Sequence, residues 1–192
     1  SNKSKTIITM VNSIDNYEKW ENIVGKGKIL PAFPGAGGSI TNNILDASFT
    51  PRIIQPTTFS EITGKKTNRT QRLSQIFKHS CIPFQQVNDM HIWQLCHIGM
   101  VVPLANAYYQ TEHPESLGQD KVIMKKIARE LKDNFKILYD NLHTLSPYKM
   151  NIFRILPIPI LTYILSQAYK SRFGHTFMYQ HAIKAPDEMK EL

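Results

Sequence analysis

The apolar pattern of this chain changes period part-way along its length, and that change limits the folds open to it more than any single motif. Up to residue 62, apolar residues fall in short β-branched runs punctuated by glycine and proline; from residue 68 they recur every third or fourth position. The clearest case lies over residues 119–143, where Ile123, Ile127, Leu131, Phe135, Leu138 and Leu142 form one stripe of an amphipathic helix. Strands first and helices afterwards describe a sheet-containing part joined to an all-helical part, not a continuous alternation of the two.

The elements can be placed more closely. Residues 5–11 and 28–33 read as strands, and a short helix over 16–24, with Asp15 as its cap, joins them. Two or three further strands are expected over 38–62, with Pro51 and Pro56 at edges or turns. Helices are predicted over 68–80, 90–110, 119–143 and 152–173, and a last one starts at Pro186. The segment 152–173 is apolar almost all round, which fits the middle of a bundle, although its stretch 152–165 serves equally well as a subunit interface. A lone parallel strand pair buries little, so more sheet is expected upstream of residue 1.

The 192 residues carry a net charge of +8. The basic residues of 65–78 and 121–136 fall on the solvent faces of two helices and are not interleaved with aromatics, so nucleic-acid binding is not expected. The run 152–165 contains Arg154, Pro157 and Pro159 and is too short for a membrane span, and no secretory leader opens the sequence. Cys81 and Cys96 read as free thiols of a cytoplasmic protein.

Three motifs bear on chemistry. Gly35-Ala36-Gly37 follows a strand, but Ile40 stands where a dinucleotide fingerprint needs a small third residue, and the segment after it is poor helix material; a turn permitted by glycine is the simpler reading. His79, Cys81, His91, Cys96 and His97 match no metal-ligand spacing, so no metal is expected. In the helix over 90–110, Trp93, His97, Met100, Leu104 and Tyr108 share one stripe. Pro103 deletes the hydrogen bond to the carbonyl of Gly99, so a kink is expected one turn beyond His97, with backbone groups opened to a ligand. A histidine on such a stripe is either a satisfied core residue or a proton carrier.

Several stretches, taken in order, resemble the ketopantoate reductase (2-dehydropantoate 2-reductase) family. They are Ile7-Ile8-Thr9-Met10-Val11-Asn12, Phe33-Pro34-Gly35-Ala36-Gly37-Gly38, the segment from Pro56 to Gly64, Asp89-Met90-His91-Ile92-Trp93 with Val102-Pro103-Leu104, and His181-Ala182 with Ala185-Pro186-Asp187-Glu188-Met189. The resemblance implies a fragment of mixed α/β and α+β character. In it the C-terminal part of a Rossmann-like NADP-binding domain, residues 1–66, precedes an all-α domain like the C-terminal one of 6-phosphogluconate dehydrogenase, residues 67–192. The family's glycine fingerprint would precede residue 1, and its last helix would run past Leu192. The longer protein would be an NADPH-dependent 2-keto-acid reductase, and the fragment alone inactive.

The site residues follow from the same resemblance. Asn12 matches an asparagine beside the nicotinamide, Trp93 shapes the substrate pocket, and Glu188 and Thr176 hold the substrate. The family's proton-donating lysine falls on Leu95 in one register and Gln94 in the other, and its asparagines on Gly99 and Pro103 or on Ile98 and Val102. His97 is the nearest group able to move a proton and resembles a subgroup with histidine at this place. Residue by residue, the plainer alternatives are a strand-end turn for Asn12, a helix-start carboxylate for Glu188 and a surface hydroxyl for Thr176. For the protein as a whole, the alternative is a non-enzymatic relative acting as a binding or dimerisation module, and a homodimer fits either.

Overall fold

The computed structural model describes residues 5–172 and 174–179, and the side chains of all of these but 38–41, 46 and 175–177. The chain divides into two compact units, Ser1–Leu95 and Cys96–Leu192.

In the first unit, strands β1 (Ile7–Met10), β2 (Ile29–Phe33), β5 (Thr57–Phe59) and β6 (Phe84–Gln86) form a mixed sheet in the order β1-β2-β5-β6. Strand β1 runs parallel to β2 with Ile7 opposite Ile29, and helix α1 (Glu18–Val24) makes the crossover between them. Four consecutive residues of β2, from Ile29 to Ala32, are buried, as expected of a strand covered on both faces. Pro31 ends the antiparallel pairing with β5: Ser60 donates its N–H to the Pro31 carbonyl, and proline has none to return. Helix α2 (Asn68–His79) lays Leu73 and Phe77 against Leu30, Ala32 and Phe59, with the rings of Phe59, Phe77 and Phe84 about 6 Å apart. This packing places α2 in the sheet unit, so the compact units part at Leu95, whereas the resemblance implies a domain boundary after residue 66.

Strands β3 (Ala36–Thr41) and β4 (Ile44–Phe49) pair only with each other, in an antiparallel ribbon turned at Asn42 and Asn43, whose φ angles are 52° and 62°. The glycine-rich segment thus enters a strand. Gly35 is required by close approach, because a Cβ there would sit 2.3 Å from the backbone nitrogen of Thr57. The first helix also differs from expectation: it begins at Glu18 after Tyr17, and Asp15 pairs with Lys19 at 3.1 Å instead of capping it.

The second unit is helical. Helix α4 (Lys121–Leu142) starts where Asp120 Oδ1 accepts hydrogen bonds from the N–H groups of Val122 and Ile123, at 2.8 and 2.9 Å. Its stripe of Met124, Ile127, Ala128, Leu131 and Phe135 is buried. The single helix expected over 152–173 is two helices, α5 (Asn151–Ile155) and α6 (Ile158–Lys170). Pro157 forces Leu156 into an extended conformation, and Lys132 Nζ donates to the Arg154 and Leu156 carbonyls left open at the break, at 2.9 and 2.8 Å. Nor does the segment lie in the middle of a bundle. Leu161, Leu165 and Tyr169 are buried, while Ile152, Ile155, Ile160, Tyr163 and Ile164 are exposed. The helix expected from Pro186 lies outside the described residues.

Candidate functional site

Helix α3 (Met90–Tyr109) carries two of the candidate residues, Trp93 and His97, and the division between the two units falls within it. It begins in the first unit, where Asp89 Oδ1 accepts from the Ile92 N–H at 2.9 Å. Met90 and Trp93 pack there with Tyr17, against Trp20, Phe33 and Val87; the Phe33 and Trp93 rings lie 5.5 Å apart. Phe33 ends β2, and Asn12 lies just beyond β1. Trp93 and Asn12 therefore both belong to the region at the carboxyl ends of two parallel strands, where open parallel sheets place ligands.

Gln94 ties this region together. Its side chain is fully buried, its Oε1 accepts from the Tyr17 hydroxyl at 2.5 Å, and its Nε2 donates to the Val11 carbonyl at 2.6 Å. Burial, with a smaller contribution from the nearby Asp89 carboxylate, pushes the Tyr17 phenol well above its ordinary range, so it stays a neutral donor. Of the two positions that the sequence resemblance sets against a reductase lysine, Gln94 is thus a structural amide and Leu95 is half-buried; neither supplies a proton. Next to Val11, the Oδ1 of Asn12 is buried and has no hydrogen-bond partner among the described residues. Such an atom costs ~1–3 kcal/mol unless something outside the described structure satisfies it.

His97, one turn after Trp93 on α3, is 4% exposed. Beyond it, Pro103 does remove the N–H that would have served Gly99, but helix α3 continues through it to Tyr109. The freed Gly99 carbonyl is not open to a ligand: Asn134 of α4 donates its Nδ2–H to it at 3.0 Å. A Cβ at Gly99 would sit 2.9 Å from Leu138 Cδ1, so the residue's small size sets how closely α3 and α4 approach. Tyr108 and Tyr169 pack at 5.3 Å, and Tyr169 donates its hydroxyl to the Leu104 carbonyl at 2.6 Å. Thr176 lies in the π-helical turn Gly174–Tyr179, and Glu188 lies outside the described residues. A cavity of about 230 Å³ in the second unit, lined by Glu115, Gly118, Tyr169 and Lys170 among others, contains none of the candidates.

Cys96 is buried, and burial raises its thiol above the ordinary range despite a backbone bond from Ser146, so it is held protonated. Cys81 is exposed and free. Among the described residues no cluster of three His, Cys, Asp or Glu is placed to hold a metal ion, and no helix is long and apolar enough to cross a membrane.

One cluster escapes any reading by sequence period. Glu61, 5% exposed, takes both oxygens to the Arg69 guanidinium, and the Thr67 hydroxyl donates to the same carboxylate. Arg69 also donates to the Gly27 and Ile29 carbonyls at 2.6 and 2.9 Å. Burial pushes the Glu61 carboxyl up, but the bonds from Arg69 and Thr67 together outweigh it and leave the group below its usual range. The cluster fixes the first turn of α2 to the segment leading into β2.

Comparison with known proteins places this geometry in context. Neither protein-family models nor curated protein sequences match the chain. A solved structure does: the 2-dehydropantoate 2-reductase of Porphyromonas gingivalis W83, with a TM-score of 0.55 at 12% identity. The likeness is one of fold. It covers 93% of this chain and 62% of the reductase, so the chain spans less than two thirds of that protein's length. A sheet-containing unit followed by helices, expected from the change of period, is therefore an arrangement found in a solved reductase.

Proposed function

We propose that the protein to which this chain belongs is an NADPH-dependent 2-keto-acid reductase, in which His97 takes the place of the family's lysine. The observation that carries this reading is the likeness of fold, over 93% of the chain, to a structure solved as a 2-dehydropantoate 2-reductase. The environment of Asn12 supports it: a buried amide oxygen without a partner among the described residues, just beyond β1, is suited to a ligand N–H such as that of a carboxamide.

NADPH, when bound, supplies the hydride that reduces the keto carbon. Asn12 orients the cofactor through its side-chain amide. Trp93 forms an apolar wall, held against Phe33 and Tyr17. His97 donates a proton to the oxygen that becomes the hydroxyl, which an imidazole does efficiently near neutral pH. Thr176 and Glu188 orient the substrate. Gln94 cannot act as the acid, since both ends of its amide are engaged.

The test is turnover. The full natural protein, given NADPH and a panel of 2-keto acids, should oxidise NADPH with at least one of them and yield the 2-hydroxy acid. Tight NADPH binding without turnover on any member would favour a binding module and end the reductase reading.

A further inference from the structure

The peptide between Val11 and Asn12 is held in one direction by a buried side chain. The Val11 carbonyl has no proton to give, so the end of Gln94 that meets it at 2.6 Å is the Nε2 amide, and the Oε1 end faces the Tyr17 hydroxyl at 2.5 Å. Turned over, the side chain would set two acceptor oxygens against each other away from solvent, since Gln94 is fully buried and Tyr17 is 4% exposed. The Tyr17 ring is fixed in turn, edge-on to Trp20 at 5.6 Å and to His91 at 6.3 Å, so the direction of its hydroxyl is set. A peptide unit is planar, and the Val11 carbonyl shares its plane with the Asn12 nitrogen. Aiming that carbonyl at Gln94 therefore sets the direction in which the chain leaves β1 and carries Asn12.

We infer that Gln94, backed by Tyr17, is a positioning residue for cofactor binding: it acts through the Val11 carbonyl to hold Asn12 toward the carboxamide of NADPH. This inference rests on the reductase reading. Three elements meet at the one amide: the segment leaving β1, the N-cap of α1 and the first half of α3. Trp93, the apolar wall of the proposed pocket, precedes Gln94 on α3, so the same two bonds fix the spacing between that wall and Asn12. Neither Gln94 nor Tyr17 has to touch the ligand for this. A methionine at position 94 would fill a similar volume and keep the packing, but it would leave the Val11 carbonyl without its donor.

The test is calorimetric titration of the full natural protein with NADP⁺, which withstands mild acid, comparing the native sequence with Gln94→Met, Asn12→Ala and the two together. Gln94→Met should bind about tenfold more weakly, the effect of one directed hydrogen bond, and should lose nothing further where Asn12 is already alanine. A residue that only stabilised the fold would weaken binding by the same factor in both backgrounds. Gln94→Glu supplies a second readout, which decides the matter by itself if the methionine variant fails to fold. Burial raises the introduced carboxyl above its ordinary range; below that value the neutral acid donates to the Val11 carbonyl, and above it a carboxylate faces another acceptor. Its affinity relative to the native protein should therefore fall as pH rises from about 5 to about 9, whereas Gln94→Met keeps a constant ratio. A folded Gln94→Met protein of native affinity, losses that multiply in the double variant, or a Gln94→Glu ratio indifferent to pH would each overturn the inference and leave the reductase reading standing. A native protein that does not bind NADP⁺ would remove both.

Discussion

Replacing Arg69 with methionine removes a cation that Glu61 is not equipped to lose. The carboxylate is 5% exposed, and Arg69 contacts both its oxygens while binding the carbonyls of Gly27 and Ile29. Removing one partner of a buried pair leaves a desolvated charge, at a cost of ~3–5 kcal/mol. For a chain of this size that lowers the melting temperature by roughly 10 °C or more. The pH dependence gives a sharper signature. In the native chain the Glu61 carboxyl lies below its unfolded value, so the stability it contributes is present above about pH 4.3 and fades as pH falls through the folded value. In Arg69→Met burial, the largest influence on this group, outweighs the remaining bond from Thr67 and raises the carboxyl above its unfolded value. The sign then reverses: stability at this site is greatest in acid and falls as pH rises through the carboxylate range. Urea unfolding at several pH values measures both quantities, and adding Glu61→Gln should recover part of the loss by removing the stranded charge. A loss below about 1 kcal/mol, or an unchanged pH slope, would refute the assignment of Glu61 and Arg69 as a buried, mutually dependent pair.

Two further outcomes follow from single side chains. Asn134→Leu leaves the Gly99 carbonyl unpaired beside Pro103 and should cost ~1–3 kcal/mol in urea unfolding, with faster amide exchange confined to the α3 turn around that carbonyl. Asn12→Ala removes a buried oxygen that has no partner among the described residues, so the chain should keep or slightly raise its melting temperature while the full protein binds NADPH at least about tenfold more weakly by calorimetry. Loss of stability without loss of binding would make Asn12 a structural residue.

Much of this architecture could be read from period alone. Of the stripe expected on α4, Ile127, Leu131 and Phe135 lie buried and Ile123, Leu138 and Leu142 half-buried, and β1, α1 and β2 follow in the expected order. Reading failed where apolar residues carry no direction. Over 152–165 nearly every residue is apolar, so nothing in the pattern separates the buried Leu161 and Leu165 from the exposed Ile160 and Ile164. Pro157 held the clue to the break, since a proline there and an extended residue before it end a helix. The strand β6 is three residues long and shows no alternation to detect. In the site, the role of Pro103 was half legible: the carbonyl it frees follows from helix geometry, but the donor that takes it, Asn134, comes from a separate helix. The pairing of Glu61 with Arg69 and the two bonds of Gln94 are likewise tertiary, joining residues that no local pattern relates.

The chemistry assigned to His97 is tested most directly by single-turnover reduction of a 2-keto acid by the full protein at saturating NADPH, comparing the native sequence with His97→Gln. Glutamine fills a similar space and retains a hydrogen-bonding end but is no acid at neutral pH, so NADPH affinity and melting temperature should be nearly unchanged while the reduction step slows by ~10²–10⁴-fold. Reduction at the native rate by a folded His97→Gln protein would contradict the account and leave the imidazole, 4% exposed, as a residue of the core.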